Sequence, residues 1–208
     1  MCREGKHLRQ DKNVYILEQC KNITDLSGYT HIRAYHACRP ININDYIENG
    51  IHTFSKEDAW KIVRERLMLC GIKEEKIKET FELCWDEKLH HFDKICVGIS
   101  KQELLTHSGH YLVYGSEFIC GMAAQLFCQN RLKRIGVPTL LVCDINICKF
   151  STDALEAIES GGLYDGTWDG GAFLNNNIDA SEIIDYIHPK KMFDPLIWQE
   201  YRYIGNEL

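Results

Sequence analysis

The sequence predicts an α+β domain, on three observations. Residues 31–40 (HIRAYHACRP), 94–99 (KICVGI) and 139–147 (TLLVCDINI) are short runs with the alternation or β-branched content of strands. Between the first and second of these, residues 55–91 switch to helical spacing. The 208 residues are 45% hydrophobic and 11% aromatic, without low-complexity tracts, which suits one sizeable core. Residues 1–208 are therefore expected to form a single domain with a helical insertion at about 55–91.

In chain order, residues 1–12 are charged and expected to be loose, and 13–19 (NVYILEQ) form a first strand or short helix. Asp25, Ser27 and Gly28 supply turn chemistry before the strand at 31–40, which breaks at Pro40. Residues 42–50 (NINDYIENG) predict one or two helical turns, capped by Asn44 or Asp45 and stopped by Gly50. Ser55 and Asp58 resemble a capping pair, followed by Ala59, Ile62, Val63, Arg66 and Leu67 at helical spacing. A second helix after Gly71 carries a stripe of Ile77, Phe81, Leu83, Cys84 and Trp85, with the KEEKIKE run as its solvated face.

Residues 109–114 (GHYLVY) read as a strand, and Gly115, Ser116 and Glu117 end it and open a long helix through Arg134. After the apolar strand at 139–147, residues 151–160 predict a short helix stopped by Gly161 and Gly162. Residues 162–171 (GLYDGTWDGG) lack the spacing of a phosphate cradle and suit either a loop covering a ligand or an ordinary linker. Asp179 and Glu182 then sit beside Ile183 and Ile184, and Tyr201, Arg202 and Tyr203 look like surface packing.

Composition bounds the partners. The formal charge of −6 gives no sequence-wide attraction for phosphate backbones, so nucleic acid enters only through a local patch. The ten cysteines form no CxxC pair, and several lie in apolar runs such as ICVGI and FICGM. With a polar N-terminus lacking a signal peptide, this predicts reduced thiols, a cytoplasmic protein and no membrane partner. His90 and His91 are adjacent without a carboxylate pattern and read as surface residues rather than metal ligands.

The unusual chemistry is concentrated in two segments, 31–40 and 107–117 (HSGHYLVYGSE). Along the first, Ile32, Ala34 and His36 share one face, with Arg33 and Tyr35 on the other. A largely buried strand that carries guanidinium, phenol and imidazole needs partners for them, so it is expected to line a site. In the second, Ser116 and Glu117 cap a helix start or converge with Tyr111 and Tyr114 at the lip of a pocket. A His36, Ser116 and Glu117 hydrolase triad is disfavoured because GSE lacks the GxSxG elbow.

A strand carrying Tyr35, His36 and Arg39, a short helix ending in Asn49-Gly50-Ile51, the Tyr111-Leu112 segment, a small-residue helix from Glu117 and a late acidic segment together resemble the ADP-ribosyltransferase superfamily of diphtheria toxin and the poly(ADP-ribose) polymerases. The resemblance spans roughly residues 32–187. It departs at Ala37-Cys38, where the family has Gly-Thr or Gly-Ser, and in the lack of a late Glu-x-Glu.

The resemblance implies a split mixed or antiparallel sheet core and NAD as substrate, with ADP-ribose passed to a protein or nucleic acid acceptor or the NAD hydrolysed, without a metal. His36 would bond the adenosine ribose, Arg33 or Arg39 the pyrophosphate, and Tyr111 or Tyr114 would stack on nicotinamide, with Tyr35 and Ser116 beside them. Glu117 has the better local context for the catalytic carboxylate and Glu182 the better chain order. An RNA 2′-phosphotransferase-like enzyme and a non-catalytic nucleotide- or partner-binding protein of the same fold are the other readings.

Overall fold

The 31–40 segment forms the strand about which the rest is assembled. The structure, a computed structural model, describes residues 12–20, 25–85 and 94–205. The expected loose segment at 1–11 and the His90-His91 pair lie outside the described residues.

Strand β1 (Val14–Tyr15) runs parallel to the start of β2 (His31–Cys38). Helices α1 (Asn44–Asn49), α2 (Lys56–Leu69) and α3 (Glu74–Cys84) follow, then β3 (Ile95–Gly98) and the short helices α4 (Lys101–Thr106) and α5 (His110–Tyr114). Helices α6 (Glu117–Gln125) and α7 (Gln129–Leu132) lead to β4 (Thr139–Asn146). Helices α8 (Thr152–Glu159) and α9 (Gly162–Asp165), strands β5 (Gly171–Leu174) and β6 (Ile183–Ile187), and a hairpin of β7 (Lys191–Asp194) and β8 (Gln199–Arg202) complete the chain.

The main sheet has the order β5-β3-β2-β4-β6 and is antiparallel along that path, giving an α+β fold. Both of its faces are buried. Ile32, Ala34, Leu141, Cys143 and Ile145 point into one core with α8, while Tyr35, Ala37, Leu140 and Val142 point into the other with α2, α3, α5 and α6. Burial on two faces explains why β4 is a continuous apolar run instead of an alternating one.

The expected insertion is part of the second core. Phe81 of α3 meets Trp60 of α2 at 5.3 Å and Phe118 of α6 at 5.6 Å, both edge to face. Ser55 caps α2 as the sequence predicts, accepting from the Asp58 amide. Leu83, however, is 83% exposed, because only Ile77, Thr80 and Phe81 of α3 face inward.

Several expectations are corrected. Residues 110–114 form helix α5, not a strand, and its Leu112, Val113 and Tyr114 are buried in the core against the sheet. The long helix through Arg134 breaks after Gln125, where Phe127 adopts a φ of 52° and turns Cys128 and Leu132 into the core. In α1 the N-cap position is Ile43, without a side-chain cap, rather than Asn44 or Asp45; Asn42 just before it accepts from the Asn44 amide in a local turn. The packing read for Tyr201 and Tyr203 is found, half-buried, against the Arg39 guanidinium. The expectation of uniformly reduced thiols fails at Cys148, which is disulfide-bonded; a disulfide depends on proximity in space, which spacing along the chain does not report.

Candidate functional site

Strands β2 and β3 share one registered pair, Tyr35 with Gly98, and then diverge. Continued pairing would set His36 to Cys38 against residues 95–97. Instead, a cavity of about 180 Å³ opens in the wedge, lined by residues 35–39 on one side and 94–98 on the other. Helix α2, the start of α6 and the Ile51–Phe54 segment close the remaining walls.

His36 bridges the split. Its Nδ1 lies 2.9 Å from the Cys96 carbonyl oxygen, and since a carbonyl only accepts, Nδ1 carries the hydrogen. Burial pushes the imidazole pKa below its ordinary value, outweighing the Cys96 hydrogen bond, so the ring is neutral near pH 7. In that tautomer Nε2 presents an acceptor lone pair.

Tyr111 reaches the same cavity from α5 and donates its phenolic hydrogen to Glu117 Oε1 at 3.1 Å. His110 Nε2 lies 3.1 Å from the same oxygen. Glu117 sits in the first turn of α6, where a carboxylate suits the helix dipole. Its charge reaches the cavity wall: after burial it is the next cause that pushes the Cys96 thiol up to about 11, and it helps raise the Tyr111 phenol. Ser116 combines both expected roles, capping α6 by accepting from the Ile119 amide at 3.1 Å while lining the cavity.

Tyr35 and Arg39 also line the cavity, but Arg39 is committed elsewhere. Only 1% exposed, it donates to the carbonyls of Ile135, Leu112 and Lys133 and stacks near two tyrosines. Its guanidinium thus ties α5 and α7 to the end of β2.

Four predicted residues do not line the cavity: Glu117, whose side chain is 67% exposed beside it, and Arg33, Tyr114 and Glu182. Arg33 lies opposite Asp144 across β2 and β4 and forms a two-pronged ion pair with it at 2.5 and 3.2 Å. Tyr114 donates to the buried Asp194 at 2.9 Å, and Lys133 pairs with the same carboxylate at 3.0 Å. Glu182 accepts from the amides of Asn146 and Asp179 and pairs with Lys149 at 2.5 Å. Asn146 lies opposite His31, five residues from His36, or about 17 Å at ~3.4 Å per strand residue. The glycine-rich segment at 162–171 does not line the cavity either: Trp168 packs on the first core and donates to the Gly171 carbonyl.

One residue escaped the sequence reading. Arg66 of α2 is 7% exposed and lines the cavity, with one nitrogen donating to the Arg39 carbonyl at 2.6 Å. Its other terminal nitrogen, Nη1, is buried without a partner among the described residues. The signal was available, because Arg66 occupies a core position of the stripe Ala59, Ile62, Val63, Arg66 and Leu67. A cation there either has a buried partner or awaits one.

Among the described residues, no group of three or more His, Cys, Asp or Glu side chains converges as a metal site, and no helix is long and apolar enough to cross a membrane. No known protein family, curated protein or solved structure matches the chain.

Proposed function

We propose that the chain is an NAD-dependent ADP-ribosyltransferase with an ADP-ribosyltransferase-like split sheet, which passes ADP-ribose from NAD to a protein or nucleic acid acceptor, or to water. The observation that carries the proposal is the wedge between β2 and β3, where a neutral His36 with Nε2 unoccupied by the Cys96 bond faces the same cavity as Tyr111, whose phenol is held by Glu117.

In this reading, His36 Nε2 accepts a hydrogen bond from a ribose hydroxyl, and the Tyr111 ring offers a flat surface to nicotinamide. The C1′–N glycosidic bond breaks, its electron pair leaving with nicotinamide. The ribose gains oxocarbenium character, and the negative charge of Glu117 stabilises it. An oxygen or nitrogen of the acceptor then bonds to C1′ and loses its proton to solvent or to Glu117.

Neutrality of His36 suits this role, since an imidazolium has no lone pair with which to accept from the ribose hydroxyl. The apolar walls formed by Ile51, Phe54 and Ile119 limit water access at the breaking bond.

The test is nicotinamide release from NAD by the purified protein, with and without cell lysate as acceptor. Wild type is expected to release nicotinamide, with His36→Ala and Glu117→Gln slowed by about 100-fold or more. Glu182→Ala is expected to retain turnover while losing stability. If wild type neither binds nor consumes NAD, the proposal is wrong. If Glu182→Ala alone abolishes turnover in a folded protein, the carboxylate assignment is wrong.

A further inference from the structure

A second cavity of about 280 Å³ adjoins the first. The two share a wall made by Tyr46, Ile51, His52, Phe54, Ile62 and Arg66. Each is far larger than the ~15 Å³ that one water requires. Arg66 is the guanidinium at their junction.

A buried guanidinium has five N–H donors and no acceptor, so each donor left without a partner is an expense of desolvation with no return. Arg66 makes one hydrogen bond, to the Arg39 carbonyl, and no ion pair among the described residues. The surrounding chain is shaped to its position. Gly115 has a φ of 97°, and a Cβ at that residue would come within 2.9 Å of Arg66 Nη1. The link between α5 and α6 thus makes room for the guanidinium without satisfying it.

We infer that Arg66 is the anion-binding residue of the cleft, taking the diphosphate of a ligand whose two halves occupy the two cavities. The inference rests on the NAD reading for the identity of that ligand, but not for the anion site itself. A guanidinium between two cavities matches a molecule with two bulky ends joined by a doubly charged link. The second cavity also carries Asp45 and Glu65, whose carboxylates repel phosphate and accept from hydroxyls. The diphosphate therefore sits at Arg66, and a ribose extends past it toward Asp45.

This reassigns the role that the family resemblance implies for Arg33 or Arg39. Both are already engaged within the fold, Arg33 by the Asp144 carboxylate and Arg39 by three carbonyls. Arg66 is the arginine of the cavity wall with a buried nitrogen unmatched.

The test is titration calorimetry and thermal shift on the full chain with inorganic pyrophosphate, ADP-ribose and adenosine. Wild type is expected to bind pyrophosphate and ADP-ribose, with adenosine much weaker. Arg66→Met is expected to weaken ADP-ribose by about 10- to 100-fold, the loss of a charge-assisted hydrogen bond, and Arg66→Lys by less.

Because Arg66→Met can also disturb the Arg39 contact, Ile62→Glu provides a second arm. It places a carboxylate four residues before Arg66 on the same helix, where it pairs with the guanidinium. That variant is expected to melt no lower than wild type and to lose the pyrophosphate response. Pyrophosphate and ADP-ribose binding that is absent from wild type, or unchanged in both variants, overturns the inference even if NAD is consumed. Arg66-dependent binding without nicotinamide release supports the anion site and removes the transferase reading.

Discussion

The Arg33–Asp144 pair decides whether the first strand's leading arginine belongs to the fold or to a ligand. Asp144→Ala would leave the guanidinium in a largely buried setting without its counter-charge. Removing one partner of a fully buried pair costs about 3–5 kcal/mol. The Arg33 side chain keeps 23% of its exposure and that of Asp144 keeps 9%, so water recovers part of the loss. We expect a cost of about 2–3 kcal/mol after that screening.

Each kcal/mol moves the midpoint of a domain this size by about 2–4 °C, so the melt should fall by about 5–10 °C. Arg33→Met should cost a similar amount, since it strands the Asp144 carboxylate. Circular dichroism melts give the stability, and nicotinamide release gives the activity below the transition. Turnover in Arg33→Met should stay within about twofold of wild type. A variant that melts like wild type yet loses NAD binding would refute the reasoning and return Arg33 to the ligand.

Two further perturbations follow from the cavity. Because burial lowers the His36 pKa in the folded state, the unfolded chain takes up the proton first; the stability tied to a neutral His36 is present above about pH 6.5 and is lost as pH falls from there toward the lower folded value. Urea midpoints measured from about pH 8 to about pH 5 should therefore fall less steeply in His36→Gln than in wild type, and parallel curves would contradict a buried neutral imidazole. Gly115→Ala forces a side chain into a left-handed conformation and against Arg66, so it should cost about 1–3 kcal/mol and weaken pyrophosphate binding together; retention of full binding would separate Gly115 from the Arg66 site.

The two organising segments were legible because their residue types are costly to bury. His36, Tyr111 and Ser116 do meet at one cavity, as the density of polar chemistry on a buried strand suggested. Arg33 and Glu182 carried the same sequence signal and found partners within the fold, Asp144 across the ladder and Lys149 beyond the end of β4. A single chain reports that a buried polar group needs a partner, but not whether the fold or a ligand supplies it. Tyr111 illustrates the same limit in backbone form: GHYLVY has strand-like composition, yet it forms a helix that buries Leu112, Val113 and Tyr114 in the core against the sheet.

What the sequence determined alone was local: the apolar strand β4, the Ser55 and Ser116 caps, the periodicity of α2, and the placing of imidazole and phenol where burial is expensive. Tertiary structure decided which of those groups remained unsatisfied. The parting of β2 from β3 after Tyr35 opens the cavity, and α2, more than twenty positions further along, brings Arg66 to its wall. Neither can be read from spacing, because both depend on which strand edges and donors the rest of the chain has already used.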